Sequence, residues 1–434
     1  DGEIQIVIKK LFEQKNLIEE NIALTLRTKR AGVSTEDVAA ELPVVAIADH
    51  LLSYALSSNA SDIHLEILEN TLLVRLRIDG MLHEIMRMPK EIHPAIVARI
   101  KLLGALKLDE HQKPQDGRFR FKRGNEYVDV RVSVMPTFYG EKIELRLLSS
   151  AARPLSLEEL GMFPDTAQTL AAAVAKTYGL VLVTGPTGSG KTTTLYSVLS
   201  LVNTQEVNIV TVEDPIEYNM PYVNQTQINP AAGITFASGL RAILRQDPNI
   251  VMVGEIRDEE TAEIAVHAAL TGHRVFSTIH TNDALTAIPR FLDMKIPPFL
   301  VAAVLNAILA QRLVRRICLD CIVSYKPSPE IIAVIQAELR RLGAEKRLAP
   351  PSTLYRGSGC PACGGRGYRG RIGIFEIASI DAEMREEIVK ETLTLDRLEA
   401  IARKSGFISM FEDGLRKVAR GLTTVEEVFR VIRE

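Results

Sequence analysis

The chain has no tryptophan, only 5% aromatic residues, four cysteines in 434 residues, and no marked excess of either charge, the formal net charge being −2. Each scarcity removes a class of function. Few aromatics argue against the stacking platforms that bind single-stranded nucleic acid. Balanced charge argues against bulk attraction to a phosphate backbone, so no stable nucleic-acid partner is expected. No apolar run approaches the ~18–20 residues of a spanning helix. The longest candidate, FLVAAVLNAILA at 299–310, is too short and reads as a buried helix. No secretory leader is recognisable. The expected location is therefore cytoplasmic, with membrane association only peripheral, at the inner face of the cytoplasmic membrane and through partners. The first residue is Asp1 rather than Met, which reads as a trimmed chain.

What is present is concentrated in one stretch. Residues 185–192, GPTGSGKT, fit the P-loop pattern G-x-x-x-x-G-K-[ST]. They follow an apolar run, Leu180–Val183, that reads as a buried strand, and they precede TTTLYSVLSLV, which reads as a helix. That context matters because phosphate binds at a helix N-terminus. The candidate phosphate-binding residues are Gly185, Pro186, Thr187, Gly188, Ser189, Gly190, Lys191, Thr192 and Thr193. Lys191 would reach the β- and γ-phosphates, and the Thr192 hydroxyl would hold Mg²⁺.

The rest of the chain falls into segments. Residues 1–43 are helical in character, broken around Gly32–Thr35. Residues 44–149 mix helical and alternating text, with Asp79-Gly80 a strong hairpin signal, and read as an α+β domain. Residues 150–317 alternate apolar strands and helices, the pattern of a parallel sheet covered on both faces. A cysteine-bearing segment, 318–375, and a helical tail, 376–434, follow. In the tail Thr424-x-x-Glu427 is a capping box, and Gly421 ends the preceding helix.

A P-loop alone implies nucleotide binding; hydrolysis needs acids near the γ-phosphate. Glu213-Asp214 sits at the carboxyl end of a strand in NIVTVEDPIEY, and Pro215 should turn the chain out and expose both acids. Glu255 tips a second strand, NIVMVGEIRD, where most P-loop ATPases place an Asp for the Mg²⁺ shell. Ligands of open α/β sheets bind outside such carboxyl ends. A third strand in TGHRVFSTIHTND is bracketed by His273 and His280, and His280 falls where a γ-phosphate sensor belongs. Phosphoryl transfer also needs positive charge on the γ-phosphate, often from a neighbouring subunit. Arg241 and Arg245 share a helical face, and Arg131 and Arg146 lie on strands of the preceding domain.

These segments, VEDPIEY, LRQDPNIVMVGEIRD and TGHRVFSTIHTND with GPTGSGKT, closely resemble those of the secretion ATPases that drive type IV pilus assembly and type II secretion. ASDIHLE at 60–66 and DGRFR…VDVRVS…GEKIELRLL at 116–148 resemble the domain that precedes the ATPase core in that superfamily. The resemblance covers roughly residues 44–434. It implies an α/β chain: a RecA-like P-loop parallel-sheet domain, preceded by a smaller PAS-like α+β domain, with a tetracysteine zinc-binding insertion and a helical C-terminal tail. It implies Glu213 as the base polarising water and Glu255 as the Mg²⁺-shell acid, although spacing leaves open which Glu is the base. It implies His273 and His280 near the site, and Arg131, Arg146, Arg241 and Arg245 as γ-phosphate contacts, some given in trans. It further implies ATP, Mg²⁺ and Zn²⁺ as ligands, a homohexameric ring, and an inner-membrane platform protein as partner.

The cysteines form two C-x₂-C pairs, Cys318/Cys321 and Cys360/Cys363. Four thiolates suit a closed tetrahedral Zn²⁺ site, structural rather than catalytic. In the resembled superfamily this element is typical of assembly motors rather than retraction motors. Asp62, His64 and Glu66 alternate and share a strand face, for a metal or, preferably, for hydrogen bonding or an interface. His83, His93 and His111 show no ligand spacing. The leading function is an ATP-driven motor of pilus extension or type II secretion. A nucleic-acid translocase or helicase is the alternative; its only dense basic patches would be Arg315-Arg316 and 366–371, both beside the cysteines. A non-hydrolysing scaffold is disfavoured by the intact Lys191, Glu213 and Glu255.

Overall fold

A computed structural model describes residues 2–29, 42–124, 126–149 and 153–433; the break expected around Gly32–Thr35 lies outside them. The chain divides into two compact units, Asp1–Ala152 with Cys360–Gly365, and Arg153–Gly359 with Arg366–Glu434.

The first unit holds helices α1 (Gly2–Lys29), α2 (Leu42–Ser57) and α3 (His93–Leu103). Its strands are β1 (Ala60–Ile67), β2 (Thr71–Ile78), β3 (Met81–Pro89), β4 (Gln115–Arg123), β5 (Glu126–Thr137) and β6 (Gly140–Ser149). They form one antiparallel sheet in the order β3-β2-β1-β6-β5-β4. The period-two text explains it: Leu72, Val74, Leu76 and Ile78 of β2 all turn inward and share a core with Ile47 and Leu52 of α2 and Ile96 and Ile100 of α3. The β2–β3 hairpin turns on Asp79 and Gly80, with φ of 52° and 87°. Two consecutive positive φ angles define the type I′ turn that an Asp-Gly pair favours.

The second unit is built on β7 (Gly179–Thr184), β8 (Ile209–Glu213), β9 (Val223–Gln227), β10 (Ile250–Val253), β11 (Arg274–Ile279) and β12 (Leu305–Ile317). A small antiparallel pair, β13 (Ile322–Tyr325) with β14 (Leu354–Gly357), precedes the last strand, β15 (Tyr368–Ser379). The large sheet runs β15-β12-β7-β11-β10-β8-β9, parallel throughout except for β15. Its helices are α4 (Pro164–Val174), α5 (Lys191–Val202), α6 (Phe236–Ile243), α7 (Glu259–Leu270), α8 (Ala287–Asp293), α9 (Pro298–Val304) and α10 (Pro329–Arg341). Four more close the chain: α11 (Ala382–Ile388), α12 (Leu395–Lys404), α13 (Met410–Ala419) and α14 (Val425–Arg433). On one face Val210, Val212, Val251 and Val253 pack with Ala262, Ala265 and Val266 of α7. On the other, Ile209, Ile250 and Met252 pack with Leu170 of α4 and Leu195, Tyr196 and Leu199 of α5.

The sheet corrects one expectation. Residues 299–310 are not a single helix: α9 ends at Val304, and Leu305 opens β12. A strand covered on both faces is apolar without alternation, so its text looks like that of a buried helix. The division expected between 318–375 and 376–434 falls inside β15, so the cysteine segment is an excursion from one sheet between two of its strands. Among the described residues no helix is long and apolar enough to cross a membrane.

Candidate functional site

Strand β7 delivers the P-loop, and α5 begins at Lys191. Gly190 caps that helix with φ of 87°, a left-handed conformation that glycine adopts at no steric cost. Gly185 has φ of 146°, and a Cβ there would lie 2.5 Å from the carbonyl oxygen of Gln311. The loop is therefore pressed against β12. Gln311 braces it further: its Nε2 donates to Ser189 O at 2.6 Å, and its Oε1 accepts from Thr194 Oγ1 at 2.6 Å. Lys191 Nζ donates to the carbonyls of Gly185 and Pro186 at 2.8 and 3.0 Å. Burial pushes the Lys191 amine down to about 8; Glu255 opposes that shift and Arg312 reinforces it. Both groups are thus within electrostatic reach of Lys191.

The strand order places β11 between the P-loop strand and β10. Glu255, just past β10, pairs with Arg257 and with His280 Nε2 at 3.2 Å. His280 follows β11, and the next residue is clipped to the P-loop strand: Thr281 N donates to Thr184 Oγ1 at 2.9 Å, and the two hydroxyls lie 2.7 Å apart. Lys191, Glu255, Arg257 and His280 therefore gather at the carboxyl ends of neighbouring strands.

Glu213 behaves differently. Pro215 does not expose it: the side chain is 2% accessible. Its carboxylate accepts from Tyr196 Oη, from Thr211 Oγ1 at 2.6 Å and from Gln225 Nε2 at 3.1 Å. Burial raises its pKa above the ordinary carboxylate value despite those three donors. Strand parity is the cause, since Glu213 falls on the face that α5 covers.

Placement near the phosphates is corrected for His273. It precedes β11, its carbonyl accepts from Gly179 N at the start of β7, and its Nδ1 lies 2.9 Å from Ala268 O. The six-residue strand between His273 and His280 spans roughly 20 Å, so only one of the two reaches the P-loop end. Arg241 is exposed on α6 and pairs with Glu260, while Arg245 donates to Arg241 O at 2.9 Å.

A model of the family described as Type II/IV secretion system protein matches residues 37–430. The chain belongs to that family. It is 48% identical over 374 residues to the type IV pilus assembly ATPase PilB of Thermus thermophilus, covering 86% of this chain and 41% of that protein. It is 48% identical over 394 residues to type II secretion system protein E of Pseudomonas aeruginosa, covering 91% of this chain and 76% of that protein. Among solved structures, the pilus retraction motor PilT with bound ADP is similar at a TM-score of 0.57 and 25% identity, covering 88% of this chain and 96% of that one.

Two further features of this family member bear on function. The four cysteine sulfurs lie within 4.8 Å of one another, and Cys360 and Cys363 Sγ are 3.7 Å apart. Sulfurs sharing one tetrahedral zinc lie about 3.8 Å apart, so the set fits a closed metal site. A backbone donor already points at it: Cys360 N donates to Cys363 Sγ at 3.2 Å. In the first unit Arg146 stands in register with Arg131 on one side and Asp62 on the other, and the row continues to Arg118 and Arg77. Four guanidinium groups and one acid thus share one row of the sheet. Arg146 Nε donates to Asp62 at 2.9 Å. Glu66 is held by Arg75 at 2.8 Å and Lys142 at 3.1 Å, and burial lowers the pKa of His64. Asp62 and Glu66 are therefore committed to cations, and the cysteines form the metal-compatible group found among the described residues.

Gln311, Arg312, Tyr196 and Gln225 carry no sequence motif that marks them. Only fold context reveals them, through the pairing of β12 with the P-loop strand and of β8 with β9.

Proposed function

We propose that this chain is an ATP-hydrolysing motor that powers assembly of a type IV pilus or of a type II secretion pseudopilus. The observation that carries the reading is the convergence of Lys191, Glu255 and His280 around a P-loop, within the Type II/IV secretion system family. The second unit is read as RecA-like and the first as PAS-like. ATP would sit with its phosphates on the backbone N–H groups of Gly188–Thr192. Lys191 would exchange two backbone carbonyls for phosphate oxygens, which would favour the charged form of its amine. Thr192 and Glu255 are the side chains that fit Mg²⁺, which would neutralise charge on the phosphate oxygens. His280, already bonded to Glu255, would register the γ-phosphate and lose that contact on hydrolysis. Glu255 is the acid open to the phosphate end; Glu213 can serve as base only by leaving Tyr196.

The chain would act as a homohexamer, with Arg131 and Arg146 supplying charge to a neighbour's phosphates and Arg241 and Arg245 as further donors. Mechanical work follows if ATP and ADP differ in affinity for two states of the ring. The motor would act from the cytoplasmic side on an inner-membrane platform protein. The cysteine cluster would hold one Zn²⁺ as a structural ion, worth on the order of 10 kcal/mol locally. The direct test is Mg²⁺-dependent ATP turnover by the purified chain, with one zinc per chain by metal analysis. Lys191→Ala should abolish turnover and leave the zinc. Turnover that rises on adding DNA, with binding that weakens steeply with salt, would instead establish a translocase.

A further inference from the structure

The motor reading leaves several buried acids unused, and Glu376 is one of them. Glu376, on β15, is 6% accessible. Its two oxygens serve different elements. One accepts from Ala284 N at 2.8 Å, in the loop that begins with His280; the other accepts from Met410 N at 3.0 Å, the first residue of α13. A helix N-terminus favours a carboxylate, so the second contact is well matched. The lower end of the same loop is held by Thr184 through Thr281, as described above. Glu376, Ala310, Thr184 and Ile279 lie in one register row across β15, β12, β7 and β11. The loop is therefore clamped at Thr281 to the P-loop strand and at Ala284 to β15. Helix α13 has a second tie to the same strand, because Asp413 accepts from Phe375 N at 2.9 Å. Arg312, on β12, donates from Nε to Val431 O of α14 at 3.3 Å. Burial drives the Glu376 carboxyl up to about 7, offset in part by the two backbone donors and by Arg312. A group kept inside at that cost has its two contacts as compensation, and those contacts join a phosphate-sensing loop to the C-terminal helices.

We infer that Glu376 is a positioning residue that couples the His280–Ala284 loop to helix α13, so that movement of the loop on nucleotide turnover is delivered to the C-terminal helices. This rests on the motor reading of the P-loop. One rigid carboxylate bonded to both elements cannot follow one without pulling the other. Glu376→Gln keeps the shape but puts an N–H₂ group against one of the two backbone N–H donors, so one tie is lost.

The test is hydrogen exchange of the full purified chain with Mg²⁺, comparing ADP with a slowly hydrolysed ATP analogue. In the unsubstituted protein the analogue should protect 185–192 and alter exchange at both 281–286 and 410–419. In Glu376→Gln the first two responses should persist while that at 410–419 falls by at least about half. Turnover should fall about tenfold with KM for ATP within about twofold, the split expected of a residue that acts after binding. Full retention of the 410–419 response in Glu376→Gln overturns the inference. So does an unsubstituted protein whose P-loop is protected while 410–419 does not respond, a result that does not depend on any variant folding. Absence of protection at 185–192 overturns the nucleotide reading itself, and the coupling with it.

Discussion

Strands β8 and β10 are neighbours in one sheet, and each leads to an acid at its carboxyl end, yet the two acids live in opposite surroundings. Glu255 is met by Arg257 and His280 and lies within electrostatic reach of Lys191. Glu213 is met by Tyr196, Thr211 and Gln225 and is buried. One carboxylate is met by basic side chains beside the P-loop; the other is met by neutral donors against α5. A strand-end position therefore states where an acid lies along a strand but not which face it presents. Parity decides the face, and the helix that covers that face decides what the acid can do.

The strongest test of this contrast is a pair of substitutions. Glu255→Gln should lower kcat by about 10²–10⁴, the size of effect typical of losing a positioned catalytic carboxylate, with nucleotide affinity largely kept. Glu213→Gln should cost less in this state of the chain, because the amide keeps an acceptor for one of its neighbours. If Glu213→Gln is the more damaging in steady-state turnover, the buried acid is the one that enters chemistry, and the surroundings described here belong to a resting arrangement.

Much of this contrast was legible beforehand, and the reasons for the rest are specific. GPTGSGKT declared the strand–loop–helix because each residue type has a geometric duty there. Asp79-Gly80 declared its turn for the same reason. The split of 299–310 into α9 and β12 was hidden because burial on both sides erases periodicity. Gln311 and Arg312 were hidden with it, since their value comes from β12 lying beside the P-loop strand. His280 was legible as the histidine at the carboxyl end of its strand, whereas His273 was placed near the site by resemblance alone and lies at the other end of the same strand. Glu376 sits in ordinary strand text, and only the return of β15 to the sheet after the cysteine excursion brings it to the His280–Ala284 loop.

A milder probe sharpens the P-loop side. Gln311→Leu removes both hydrogen bonds that brace the loop, to Ser189 and from Thr194. Losing side-chain bonds of this kind costs about 1–1.5 kcal/mol, so KM for ATP should rise about tenfold while kcat changes less. An unchanged KM would show that the glycine contacts with β12 suffice to hold the loop. On the Glu213 side, Tyr196→Phe removes one donor from a buried carboxylate and should lower stability by about 1–3 kcal/mol in a denaturant titration. The sign of its pH dependence follows from the raised Glu213 pKa: folding disfavours the ionised form, so the penalty is absent well below the ordinary carboxylate value and full above the folded one. The deficit of Tyr196→Phe should therefore grow as pH rises through that window. A deficit that shrinks with rising pH would mean that the hydroxyl serves the protonated acid.

The smallest effect concerns Lys191 alone. Its amine is pushed down to about 8 while it is bonded to backbone carbonyls. Phosphate oxygens favour the charged form, so nucleotide binding should draw the proton back. At pH 8 roughly half of the free protein carries a neutral Lys191, and binding should take up roughly half a proton. Calorimetric titration in buffers of different ionisation enthalpy reads that number directly. Uptake should vanish at pH 6.5, where the free amine is already charged, and it should be missing at both pH values in Lys191→Arg, whose guanidinium does not titrate there. Equal uptake at the two pH values would trace the proton to another group and detach Lys191 from the cationic end of the contrast.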